Sequence, residues 1–275
     1  ISRLKPPRVP RPFSYSQISA LTTAQVAGLT TAQVQALATN QVAALETADV
    51  RGLENVQVSA LRTDQVAALS SAQLASFSSS QITALETADL AQLTSASIRA
   101  LSTLQIRGLT EEQVIALSSL QVQALSSAQV SSLTTAQVFA LETADITALS
   151  TTNIQALTTS QIVTLSPEQI AALSTAQVTA LTTLQVSKLT AEQVIAIETA
   201  DLRALSTAAI QALTSQQVAL LSTTQIAGLS TAQVAVLDTV DVAALSQGQL
   251  AALGTAQIRS LSTAQVAALG TAQVA

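Results

Sequence analysis

From Phe13 onward the chain repeats one pattern of apolar and polar positions every eight residues, in 33 copies without insertion or deletion, the last lacking its eighth residue. Position one is Leu except at Phe13, Phe77 and Ile197, and position six is Val, Ile or Leu in every copy. Position eight is mostly Ala, with Gly28, Gly52, Gly108 and Gly228 as variants. Position five is Gln in 25 copies, and position two is Ser or Thr in 23. Ser or Thr followed three residues later by Gln is the residue pair of a helix capping box: the hydroxyl accepts from an orphan N–H and the amide oxygen returns to the cap.

The octad Leu165–Ala172 carries every signal at once. Ser166 has the chemistry of an N-cap, Pro167 the fixed φ of a first helical residue, and Glu168 suits the positive end of the helix dipole. Leu165 before the cap and Ile170 at the fourth helical position are spaced as a hydrophobic staple. The next octad, from Leu173, starts the signal again.

Two competing architectures fit less well. In one continuous helix, eight residues advance roughly 80° beyond two turns, so the Leu stripe would spiral away from any partner. A β-solenoid is the alternative, but Ala and Gln are poor strand residues. It also gives no reason for charge to be sorted within the unit. All 16 acidic residues lie at positions two to five, and Arg51, Arg99, Arg107, Arg203 and Arg259 lie at position seven, with Arg62 the exception and Lys188 at position eight. That order follows the helix dipole. The expectation is an all-α solenoid with one helix of about six residues per octad, joined by about two extended residues. Helices so short do not form alone, so stacking must stabilise them, with the small residue at position eight allowing close approach.

Composition narrows the chemistry. There is no Cys, Met, Trp or His, and aromatic residues make up 1%. Disulfides, imidazole catalysis and nitrogen or sulfur metal sites are therefore excluded, and no cofactor is expected. Ser, Thr or Gln interrupts every apolar run, so no membrane span is expected. The opening at Ile1 and the incomplete last octad suggest a processed product or part of a longer array.

Residues 1–12 form a separate basic, Pro-rich arm or linker, followed by the octads over 13–275. Arg3, Lys5, Arg8 and Arg11 place +4 on the arm, and the remaining 7 basic and 16 acidic residues give the octads −9. These four residues are candidates for docking on a neighbouring molecule; a plain linker is the other reading.

Five octads carry paired acids: Glu46 and Asp49, Glu86 and Asp89, Glu142 and Asp145, Glu198 and Asp201, Asp238 and Asp241. Paired carboxylates are candidate Ca²⁺ ligands, although the ion takes six to eight oxygens and each pair supplies too few. The other reading is structural, with Thr47 and its equivalents taking over the cap and the acids complementing the helix start. Without side chains varied enough to form a pocket, acid–base catalysis is not expected, and the protein reads as a non-enzyme.

LSPEQIAAL, from Leu165 to Leu173, is similar to the opening helix of the repeats in transcription-activator-like effectors. An octad has no room for that family's second helix or base-reading loop, and the negative repeat body repels phosphate, so nucleic acid is not an expected partner. The octads as a whole, as in ALTTAQVAGL, ALSTAQVTAL and ALGTAQIRSL, resemble the octapeptide arrays of very large exported or surface proteins of bacteria, described as adhesins or exoproteins. The resemblance implies a structural role in an extracellular or cell-surface setting and supplies no catalytic residues.

The functional expectation is a structural protein of an extracellular filament or surface fibre that associates with itself through solenoid ends and sides. A cell surface or matrix is a further candidate partner. The alternative is a scaffold or adhesin that binds a peptide, glycan or surface through regularly spaced Thr and Ser. Position seven varies freely (Ala27, Gln35, Arg107, Phe139, Thr147), which favours the structural reading, and position three is the candidate contact face.

Overall fold

The computed structural model describes residues 15–274. The basic arm, with Arg3, Lys5, Arg8 and Arg11, lies outside the described residues. These hold 33 short helices and no strand, so the fold is an α-solenoid and the β alternative is set aside. Each helix has four to six residues, at or slightly under the expected length.

The dihedral angles explain how one octad ends and the next begins. Position one is extended, as at Leu53 (φ −64°, ψ 138°), and so is position two, as at Ser70 (φ −69°, ψ 157°). Positions three to eight then run in the helical region. No described residue has a positive φ, so the chain turns at every octad without a left-handed glycine. The N–H of position one closes the helix by donating to the carbonyl of position six, as Leu93 N does to Leu90 O at 3.1 Å.

At Leu165–Ala172 the local expectation is met. Ser166 is the N-cap, Pro167 is the first helical residue, and Ser166 Oγ accepts from Gln169 N at 3.1 Å. Leu165 and Ile170 are both buried. Throughout the interior, positions one, five and six are buried, position eight is mostly half-buried, and the others are mostly exposed. Burying the Leu and the Val or Ile of each octad contributes about 1.5–3 kcal/mol per side chain.

That burial comes from stacking along the chain. The described residues form two compact units, one ending at Ala124 and the other beginning at Leu125. Within the first, helix Thr23–Ala27 packs on Thr47–Gly52, which packs on Ser71–Ser76. Within the second, Thr175–Thr179 packs on Thr199–Ala204, which packs on Thr223–Gly228. Within each unit these helices thus meet the one three octads later. The small residue at position eight serves this contact: a Cβ on Gly52 would meet Thr23 Cγ2, and one on Gly228 would meet Thr199 Cγ2.

Candidate functional site

The buried polar side chain at position five is the chemical centre of the fold. In an ordinary octad such as that of Gln177, Oε1 accepts from Ser174 N at 2.9 Å and Ser174 Oγ accepts from Gln177 N at 3.3 Å, completing the capping box. The other end of the same amide leaves its octad. Gln177 Nε2 donates to Ile146 O and Leu149 O, both at 2.8 Å, on the preceding turn. Gln57, Gln105, Gln161, Gln225 and Gln257 repeat this, each reaching carbonyls 31 and 28 residues earlier. These are position six of one octad and position one of the next, so the solenoid closes a turn between three and four octads. Sequence reading finds the cap half of this residue and misses the inter-turn half, because the second set of partners is remote in sequence.

Shorter side chains at position five make a different joint. Asn153 Oδ1 accepts from Ser127 Oγ at 3.1 Å, at position three of an octad on the preceding turn, while Nδ2 donates to Leu125 O at 2.9 Å. Ser97 Oγ lies 3.4 Å from Ser71 Oγ, again 26 residues earlier. The hydroxyl at position three, expected to face a partner, therefore pairs within the solenoid in these octads.

Asp49, Asp89 and Asp201, the inner acids of three of the pairs, make this second kind of joint. Thr23 Oγ1 donates to Asp49 Oδ1 at 3.1 Å, and Thr175 Oγ1 to Asp201 Oδ1 at 2.6 Å. Asp49, Asp89, Asp145, Asp201 and Asp241 are all buried, whereas Glu46, Glu86, Glu142, Glu198 and Asp238 sit at exposed N-caps. The inner acid still takes the N-cap N–H: Glu46 N donates to Asp49 Oδ2 at 3.2 Å, Glu86 N to Asp89 Oδ2 at 3.2 Å, Glu142 N to Asp145 Oδ2 at 3.3 Å, and Asp238 N to Asp241 Oδ2 at 3.1 Å.

One expectation is corrected here. Thr47 does not take over the cap: Glu46 keeps the extended N-cap backbone (φ −72°, ψ 158°) and Thr47 is the first helical residue. Burial of positions one and six fixes where the helix begins, so it starts at the same place even where the cap side chain is poor. Asp238, with the shorter acid, does cap, accepting from Asp241 N at 2.8 Å.

No three His, Cys, Asp or Glu side chains gather as a metal set among the described residues. The exceptional Arg62, at an N-cap, is explained by its contacts. Its guanidinium pairs with Asp64 at 3.0 Å and donates to Gln35 O and Leu37 O on the turn before.

The electrostatics divide by depth. Burial pushes Asp89 up from the ordinary aspartate value, against the opposing Thr63 hydroxyl and Glu86 N–H. Burial likewise raises Asp241, with the Asp238 charge adding to it. At the surface the shifts reverse. The hydrogen bond from Arg62 holds Asp64 low, and Glu112 and Glu168 are lowered by their own backbone N–H and by the cap hydroxyls of Thr110 and Ser166.

A profile of the ALTTAQ repeat matches residues 42–79, 82–119, 138–175, 194–231 and 242–275, more than half of the chain. The chain belongs to the ALTTAQ repeat family. Matches to this repeat span up to nearly five octads, and four of the five begin four residues before the outer acid of a pair, at Val42, Ile82, Val138 and Val194. The acidic octads therefore fall at one place in the longer family unit in those four matches. No curated protein matches the chain.

Proposed function

We propose that this ALTTAQ repeat chain is a structural element of an extracellular or cell-surface fibre, associating head to tail with further copies of itself. The observation that carries the reading is the inter-turn joint, a position-five amide on carbonyls 31 and 28 residues earlier, which repeats from turn to turn and so can take further octads of the same kind, of this chain or of another copy. Position six is buried in every octad from Ile18 to Leu250, yet Ile258 and Val266 at the same position are 43% and 50% exposed. Together with Leu261 and Leu269 they line an open groove of about 450 Å³.

In the interior, a helix three octads on covers such a face and a Gln amide takes its carbonyls. The first octads of a second copy offer that set. Val26 and Val34 are buried in their own octads, while Gln25 and Gln33 are exposed. A heterologous contact of this kind does not close on itself, so it propagates. The extracellular setting rests on the resemblance of the octads to exported arrays, and the absence of a helix long and apolar enough to cross a membrane among the described residues is compatible with it.

Sedimentation at micromolar concentration and low salt, with negative-stain imaging, tests the reading. Wild type should form linear oligomers and Ile258→Glu/Val266→Glu should not. A wild-type chain that stays monomeric sinks the proposal. Detection of the chain in surface or secreted fractions of its host tests the setting separately.

A further inference from the structure

Every ordinary joint has a donor at position five pointing at the position-one carbonyl of the turn before, as in Gln193 Nε2 to Leu165 O at 2.8 Å. An ionised aspartate has no proton to give. At Asp89 the carbonyl 28 residues earlier is Leu61 O, and at Asp241 it is Leu213 O; among the described residues no donor reaches either. Asn153 shows what a neutral side chain of the same shape does in that place. Its oxygen takes the position-three hydroxyl, as Asp89 takes that of Thr63, and its second polar atom donates to the position-one carbonyl.

We propose that the joints at Asp89 and Asp241 are acid-tightened: on taking a proton from water, each carboxyl turns from acceptor to donor and bonds the Leu61 or Leu213 carbonyl, as Asn153 bonds Leu125. No covalent bond other than the new O–H forms or breaks, and the protonated oxygen keeps a lone pair for the N-cap N–H of Glu86 or Asp238. The result is a solenoid whose seams at these acidic octads stiffen as pH falls, while its ordinary Gln joints are indifferent to pH.

The surroundings favour proton uptake. Glu86 lies in the same octad as Asp89, and the packed helices bring Asp64, itself paired with Arg62, and Glu111 and Glu112. Around Asp241 the charged group is Asp238, since the packed helices Ser215–Leu220 and Thr263–Ala267 carry no charge. The raised positions of both aspartates accord with this. In linkage terms, a carboxyl raised in the folded state binds its proton more tightly there than in the unfolded chain. Stability is therefore gained as pH falls through the folded value, and the gain is complete below the ordinary aspartate value of 3.8.

The test compares wild type with Asp89→Asn/Asp241→Asn in thermal unfolding from about pH 7 to about pH 4.5. Whatever the offset between them at neutral pH, wild type should gain on the variant by about 2–4 °C as pH falls. A pH-independent difference, or a gain by the variant, overturns the proposal. Labelling with ¹³C-carbonyl Leu and ¹⁵N-Arg marks the Leu61–Arg62 and Leu202–Arg203 peptides. The Leu61 carbonyl resonance should move with the same midpoint while Leu202, already bonded by Gln233 Nε2 at 3.0 Å, stays still. A Leu61 signal that does not move reduces the effect to desolvation alone and rejects the joint.

Discussion

Gln177 is tied to Leu149 by a 2.8 Å hydrogen bond from its Nε2 to the leucine carbonyl, 28 residues back and one turn of the solenoid below. The same amide caps its own helix through Ser174 N. One buried side chain thus fixes both where a helix begins and which turn it rests on. Gln177→Ala removes both functions and leaves the Leu149 carbonyl without its donor, while Ile146 O keeps only the N–H of Leu149, at a cost of about 1–3 kcal/mol. Gln177→Glu should be worse, because it aims a carboxylate at the Ile146 and Leu149 carbonyls. Hydrogen exchange should show lost protection in octads on both turns for each variant; loss confined to the octad of Gln177 would show that the inter-turn bond contributes nothing.

The N-caps give a second, local prediction. Ser166→Ala removes the acceptor for Gln169 N and should destabilise the second unit by about 1 kcal/mol. Ala38 occupies an N-cap with no side-chain bond, although Gln41 Oε1 already accepts from Ala38 N at 2.7 Å. Ala38→Ser completes that box and should stabilise the first unit by about 0.5–1 kcal/mol. Denaturant midpoints at constant m-value check both.

These two cases mark how far the sequence is legible. Ser166, Pro167, Leu165 and Ile170 lie within six consecutive residues, so the cap, the staple and the helix start can be read from local chemistry. The second role of Gln177 cannot, because it depends on how many octads close a turn, a property of stacked helices that no single octad encodes. The same distance hides the Thr23 to Asp49 bond and makes the acids look like free ligands or helix-dipole partners. Thr47 misleads for a related reason: side-chain chemistry alone points to the threonine as the cap, whereas burial of Leu45 and Val50 sets the helix start one residue earlier.

Surface acids should oppose the buried ones in their response to pH. Glu112 and Glu168 are lowered by their own backbone N–H and by cap hydroxyls, so their contribution is present above the ordinary glutamate value of 4.5 and is lost as pH falls through their folded values. Replacing both by Gln should flatten the loss of stability below about pH 4.5 without altering the behaviour above it. An unchanged acid limb would show that neither carboxylate is held by its cap.

Glycine within a helix sets two effects against each other, and the contacts decide the sign at each site. A helical Gly→Ala change ordinarily gains roughly 0.5–1 kcal/mol by restricting the unfolded chain. Gly248 has open space, with Thr223 Cγ2 3.9 Å from where an alanine methyl would sit, so Gly248→Ala should realise that gain. At Gly228 the same methyl would run into Thr199 Cγ2, and Thr199 lies on the helix of the preceding turn that packs against Thr223–Gly228. Gly228→Ala should therefore destabilise, by about 1–3 kcal/mol as an overpacked contact. Thr199→Ser deletes the offending methyl and keeps the hydroxyl, so the double variant Thr199→Ser/Gly228→Ala should recover the loss and exceed wild type. The coupling energy from that cycle measures the inter-turn contact directly. Additive effects would mean that the two helices are not in contact through these residues.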